Sequence, residues 1–276
     1  MAIYMRFPQG KPKTLTFSYD DGVDQDKRLI KILDSHKMKG TFNLNSGAFA
    51  PEGTVYPEGT THRRMTKSEC EKLYVNHEVA LHGLTHPWLE QITPAQCTYE
   101  VLTDRINLER MTGKITRGMA YPFGTYSDSV VETLKACGIV YSRTVISSEK
   151  FNMPTDWLRL AATCHHNNPR LMELAKQFAE GDTSPGTPMM FYLWGHAYEF
   201  DANNNWNVIE EFTDYMADRD DIWYATNIEI YDYTKAFEQL IFDIDETMCT
   251  NPTASEIWFM KGGKVYSVKG GETIRI

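Results

Sequence analysis

Short apolar runs alternate with helix-patterned segments along most of this chain, and that alternation constrains its fold more than any other feature. Leu15–Tyr19 is strand-like and ends at Asp20, and Asp24–His36 carries Leu29, Ile30 and Leu33 at helical spacing. Thr41–Leu44 and Glu78–His82 are strand-like. Between them Thr66-Lys67-Ser68-Glu69 is a capping box that opens a helix to about Asn76. Thr93-Pro94-Ala95-Gln96 opens another helix with proline at its first position. Met119–Tyr121 is a short strand, Ser127–Cys137 a helix stopped by Gly138, and Ile139–Val145 is β-rich. A helix from Asn168-Pro169 to about Glu180 precedes the apolar strand Met189–Trp194, followed by helix Trp206–Arg219, strand Ile222–Ala225 and helix Glu229–Leu240. Strands alternating with helices imply a parallel sheet wrapped by helices, either an open doubly wound sheet or a closed or nearly closed barrel. The barrel fits better, because Asp20, His82 and His196 each follow an apolar run directly, and barrels build active sites at the C-terminal ends of their strands.

The 276 residues suit one such domain, residues 1–240, with a small appendage. In that appendage, residues 241–276, Glu256–Met260, Lys264–Val268 and Glu272–Ile276 read as a β-meander packed on the barrel, with glycine pairs at 262–263 and 270–271 between them. A formal net charge of −9 without a Lys/Arg cluster argues against nucleic acid and anionic membranes as partners. The five cysteines are widely spaced, odd in number and contain no C-x-x-C pair, which reads as reduced thiols. With no basic-then-apolar leader at Met1–Gly10 and no membrane-length apolar stretch, a cytoplasmic location is expected. Oligomeric state is not legible.

Four short motifs carry candidate chemistry. Ser18-Tyr19-Asp20-Asp21-Gly22 sets adjacent carboxylates at a strand end; alone it reads better as a turn. His82-Gly83-Leu84-Thr85-His86 has the H-x-x-x-H spacing of metal ligands, although Gly83 and Pro87 disfavour a helix, and two hydrogen-bonding histidines are as good an account of it alone. Tyr121-Pro122-Phe123-Gly124 and Leu193-Trp194-Gly195-His196 are weaker still when taken singly.

Together, in this order and at these strand ends, the four resemble the polysaccharide deacetylase family, carbohydrate esterase family four. Asp20-Asp21-Gly22 is similar to that family's T-F-D-D-G, with Ser18 and Tyr19 in place of Thr and Phe. His82–His86 is similar to its H-[ST]-x-x-H, with Gly83 at the small-hydroxyl position. Tyr121–Gly124 is similar to R-P-P-Y-G and Leu193–His196 to the final L-x-H. The resemblance spans about Thr14 to Leu240 and implies a distorted (β/α)7 barrel. It further implies that Asp21, His82 and His86 bind a divalent metal, zinc or one of cobalt, nickel and manganese. On the same footing Asp20 is the general base, the backbone N–H of Phe123 helps hold the oxyanion, and His196 is the general acid. The family's arginine partner for the base is missing, since Ala120 stands there; Arg143 is the favoured substitute, ahead of Arg159 and Arg117. Asp156-Trp157 is the candidate for the segment that supports the acid, with Asp156 keeping the proton on His196. His196 is expected across the substrate space from Asp20.

Tyr121, Pro122, Trp194 and Tyr198 are expected to contact substrate, Trp88 and Trp206 are further candidates for stacking on a sugar ring, and His165 and His166 are at most substrate-loop residues. The expected activity is metal-dependent hydrolysis of a non-peptide C–N bond, foremost N-deacetylation of an N-acetylated sugar. Two rivals stand beside it: the same site hydrolysing a cyclic amide or ureide, and a catalytically inactive carbohydrate-binding protein. A substrate panel separates the first and a metal titration the second.

Overall fold

In the computed structural model, which describes residues 2–183 and 186–276, the strands are β1 (Ile3–Arg6), β2 (Lys13–Asp20), β3 (Gly40–Leu44), β4 (Glu78–Leu81), β5 (Gly118–Ala120), β6 (Tyr141–Ser147), β7 (Leu160–Ala162), β8 (Cys164–His165), β9 (Met189–Gly195) and β10 (Ile222–Tyr224). The helices between them are α1 (Asp26–Ser35), α2 (Lys67–Leu73), α3 (Pro94–Thr112), α4 (Asp128–Ala136), α5 (Leu171–Glu180), α6 (Tyr198–Ala202), α7 (Asn207–Met216) and α8 (Asn227–Phe237). Every residue of β2 is buried, as expected of a parallel strand covered on both faces. The helix starts marked at Thr66 and Thr93 are realised in full, whereas α5 begins at Leu171, two residues after the expected Asn168-Pro169. Thr66 and Glu69, and Thr93 and Gln96, form reciprocal capping boxes, and Gly113 ends α3 in the left-handed conformation.

Strands β7-β6-β5-β4-β3-β2-β9-β8 pair in that order, all parallel. β7 and β8 are one extended segment interrupted at Thr163, whose N–H donates to Tyr192 O at 2.9 Å and whose carbonyl accepts from Glu149 N–H at 2.9 Å. That segment joins β6 to β9 and closes a seven-staved distorted α/β barrel. The seventh stave is therefore Leu160–His165, which lacks an apolar alternation, and not Ile222–Ala225. Among the described residues β10 pairs only with Lys13–Leu15 at the entry end of β2, on the edge that β3 occupies from Phe17 to Asp20.

The tail differs from the expected single meander. Its strands β11 (Ile241–Phe242), β12 (Met248–Thr250), β13 (Ile257–Lys261), β14 (Lys264–Val268) and β15 (Thr273–Arg275) split between two sheets, β1-β13-β14 and β11-β12-β15. The N-terminal strand β1 supplies an edge to the first. The Tyr233 hydroxyl ties this sheet to α8, donating to Arg6 O at 2.7 Å and accepting from Trp258 N–H at 2.8 Å. A second core of Phe7, Tyr192, Ile230, Ile257 and Phe259 lies beneath it. Among the described residues, no helix is long and apolar enough to cross a membrane.

Candidate active site

Strand register decides which motifs meet. Tyr19 is paired with Gly195 across β2 and β9, so Asp20 and His196, each one residue further on, emerge side by side. Asp20 itself is paired with Asn43 on β3. His82 follows β4 directly, and Ala120 ends β5 opposite Arg143 on β6. All of these positions lie at the C-terminal mouth of the barrel.

The ligand atoms of Asp21, His82 and His86 lie within 4.8 Å of one another. His82 Nδ1 is 2.8 Å from Ala120 O. A carbonyl can only accept, so Nδ1 carries the proton and Nε2 faces the site with a free lone pair. His86 Nε2 stands 3.2 Å from it, close to the ~3.3 Å between two nitrogens bound tetrahedrally at ~2.0–2.1 Å from zinc. Burial lowers the pKa of both rings, that of His86 to about 4, so both are neutral. The donor set suits a divalent cation. The backbone there is tightly wound: Asp21, His86 and Phe123 all have positive φ, and Gly83 adopts φ +77° where an added Cβ would stand 3.2 Å from Pro122 Cγ. That contact accounts for glycine at the motif's second position.

Two groups the sequence did not single out flank Asp21. Arg64 Nη2 lies 2.8 Å from Oδ1 and His62 Nε2 3.2 Å from Oδ2. Both come from the long connection 45–66 between β3 and α2. Asn45, which accepts from Arg64 at 2.7 Å, donates to the carbonyls of His82 and Gly83 and so links that connection to the ligand loop. Burial pushes the Asp21 pKa up, but the His62 hydrogen bond and the Arg64 guanidinium outweigh it and hold the group ionised.

Asp20 is almost fully buried. Its Oδ1 accepts from Asn43 Nδ2 at 2.8 Å and its Oδ2 from Arg143 Nη2 at 2.5 Å. Burial raises its pKa, but Arg143, His82 and His196 together bring it below the ordinary value. Arg143 is the register partner of Ala120, so the arginine missing from the third motif stands one strand sideways and reaches the same carboxylate. The other candidates are elsewhere: Arg117 pairs with Asp232 and Arg159 with Asp128 and Asp156.

Two expectations about His196 are overturned. It does not lie across the site from Asp20; its Nε2 is 3.8 Å from Asp20 Oδ2, because β2 and β9 are adjacent. Its partner is not Asp156, which accepts from Leu158 N–H as a helix cap and pairs with Arg159. The partner is Glu199, three residues on, whose Oε1 is 3.0 Å from His196 Nδ1. Burial lowers the His196 pKa, but the Glu199 hydrogen bond and the nearby aspartates more than offset it, so the net shift is upward. Glu199 also faces His165 Nε2 at 3.3 Å and His166 Nε2 at 2.9 Å. The only legible sign of this partner was its i+3 spacing from His196.

Tyr121 and Pro122 are turned inward rather than toward a substrate: the Tyr121 hydroxyl donates to Leu158 O at 2.8 Å and both residues are buried. Trp194 is 7% exposed and packs under the Arg143 guanidinium, 4.2 Å from its ring. Trp206 is buried as well. Tyr198 is half-buried between His62 and His196. Trp88 and Phe123, 40% and 42% exposed, lie beside His86 at the rim.

Residues 8–142 match the family model described as polysaccharide deacetylase. A chitooligosaccharide deacetylase of Bradyrhizobium sp. (strain ANU 289) is 25% identical over 150 residues, 53% of this chain and 60% of the relative. The chain thus spans less than two thirds of that relative's length. Among solved structures, a putative polysaccharide deacetylase from Mycobacterium smegmatis superposes with TM-score 0.59 at 15% identity, covering 86% of this chain and 95% of that one. The Xyl-CE4 domain of a multidomain xylanase from the hindgut metagenome of Trinervitermes trinervoides gives TM-score 0.55 at 12% identity, covering 81% and 92%. These two likenesses bear on the fold.

Proposed function

We propose, from the match of residues 8–142 to the polysaccharide deacetylase family model, that this chain is a metal-dependent hydrolase that removes the acetyl group from an N-acetylated sugar or oligosaccharide. The observation that carries this reading is the convergence of Asp21, His82 and His86 beside an arginine-paired Asp20 and a glutamate-paired His196. Asp21, His82 and His86 would hold a divalent ion, of which zinc suits the donors best. When bound, such an ion supplies a more acidic water and polarises the acetyl carbonyl.

The chain's own groups then divide the proton work. Asp20, kept ionised and fixed by Arg143 and Asn43, accepts the proton of the attacking water. The Phe123 N–H would help hold the carbonyl oxygen as it gathers charge. His196, whose proton is retained by Glu199, delivers it from Nε2 to the departing amine, which cannot leave as an anion. Acid and base stand 3.8 Å apart, so proton removal and delivery occur on one side of the scissile bond. Tyr198 and the open face of Trp88 are the aromatic groups placed to meet the sugar. The five unpaired, buried cysteines favour a reducing compartment.

Acetate release from N-acetylglucosamine oligomers, with and without added zinc or cobalt, tests the reading. Release that a chelator abolishes and metal restores is expected. Hydrolysis of a cyclic imide with no release from any acetylated sugar would transfer the site to another substrate. Metal binding with no turnover of either would leave an inactive binding protein.

A further inference from the structure

His82 and His86 are oriented by different means. The His82 ring is fixed by its Nδ1 bond to Ala120 O. His86 is more open, and no protein group among the described residues hydrogen-bonds its Nδ1. Metal-binding histidines usually donate that second N–H to a carbonyl or carboxylate, which sets the ring's direction. What meets the His86 ring instead is an aromatic stack. Phe123 lies edge to face with it, centroids 4.5 Å apart at 75°, and Trp88 lies flat on Phe123 at 3.9 Å and 3°.

Backbone geometry shows that this arrangement is held against a local cost. His86 has φ +60° and Phe123 φ +59°, a region that bulky residues rarely adopt. Phe123 is followed by Gly124 at φ +74°, and Trp88 comes two residues after His86 past Pro87. Two tight turns, one after β4 and one after β5, thus bring their aromatic rings together on one metal-ligand candidate. Both rings keep about two fifths of their surface exposed at the rim, Trp88 40% and Phe123 42%.

We propose that Phe123, backed by Trp88, is a positioning residue that sets the direction of His86 and so the metal affinity of the site; this rests on the reading of Asp21, His82 and His86 as metal ligands. Edge-to-face contact takes the part that a hydrogen bond plays for His82. The role is separate from the Phe123 backbone N–H, which both glycine and tyrosine at this position retain.

The test is zinc affinity, measured by competition with a chromophoric chelator, in wild type, Phe123→Gly and Phe123→Tyr. Glycine removes the ring and accepts the positive φ; tyrosine keeps the ring. Phe123→Gly should bind zinc about three- to tenfold more weakly, the worth of one aromatic pair, and Phe123→Tyr should match wild type. In the metal-free protein, the His86 Cε1 proton should also change its NMR shift in Phe123→Gly, because it loses the ring current of Phe123. Thermal melting verifies that each variant is folded. Equal zinc affinity in wild type and Phe123→Gly overturns the proposal, as does a Phe123→Tyr as weak as Phe123→Gly. A wild type that binds no zinc overturns the metal reading of the site and the proposal with it, an outcome distinct from the other two.

Discussion

Asp21, His82 and His86 on one side of the barrel mouth, and Glu199, His165 and His166 on the other, each bring two imidazoles and a carboxylate within 4.8 Å. Composition and spacing do not separate them; proton placement does. In the first cluster Ala120 O takes the Nδ1 proton of His82 and leaves Nε2 bare. In the second, His165 Nδ1 accepts from the Asn167 N–H at 3.1 Å, which uses its lone pair and leaves the proton of the neutral ring on Nε2, facing Glu199. A metal needs that nitrogen bare. His165 therefore presents a proton and not a ligand lone pair to Glu199, and Asn167 Nδ2 donates to the same carboxylate at 3.0 Å. The lesson is that an imidazole's outer partner fixes whether it can serve as a ligand.

Removing a side chain from each cluster is the strongest way to break this comparison. Asp21→Asn and His82→Ala should lose bound metal and turnover together, whereas His165→Ala should retain the metal of wild type. Elemental analysis after dialysis checks it, and metal loss in His165→Ala would erase the distinction. Next in size, Asp20→Asn should keep its metal but turn over about 10²–10⁴-fold more slowly, the usual worth of a general base. Equal metal loss in Asp20→Asn and Asp21→Asn would contradict the division of labour between neighbouring carboxylates.

A smaller effect sharpens the role of the second cluster. Turnover needs His196 protonated, so it is present below the His196 pKa and lost as pH rises through it. Glu199 raises that pKa. Glu199→Gln should move the alkaline limb of the pH–rate profile to lower pH by about one unit, the size expected for loss of a hydrogen bond to a charged group. An unmoved limb would remove Glu199 from the proton economy of the site. His196→Ala should slow amides more than activated acetate esters, whose leaving groups need no proton. The smallest effect should come from Gly195→Ala. A Cβ there would lie 2.1 Å from His166 Nδ1, so His166 must shift and stability should fall by about 1–3 kcal/mol, with metal content unchanged. Calorimetry with metal analysis on the same sample reads both quantities.

Local signals were legible where one stretch of chain contains the whole cause. The helix starts at Thr66 and Thr93, the buried run of β2 and the glycine stop at Gly138 each lie within a few residues of their effect. The motif order likewise pointed to Asp20, Asp21, His82, His86 and His196. Leu160–His165 escaped notice because its six residues lack a periodic pattern, and it is a strand only because β6 and β9 leave a gap that it fills. β1 escaped notice for a similar reason: its pairing partner lies at the far end of the chain.

The sequence by itself determined the alternating α/β order, the parallel barrel and the residue types available at its mouth, because side-chain periodicity and capping chemistry are local. Only the tertiary structure decided who partners whom. Arg143 serves Asp20 through the β5–β6 register, His196 stands beside Asp20 through the β2–β9 register, and Arg64 and His62 arrive on a long connection. Glu199 displaced Asp156 because α6 turns it back on His196, whereas Asp156 is spent capping its own turn. Such choices depend on distances across strands, set by register and packing, and no spacing along the chain encodes them.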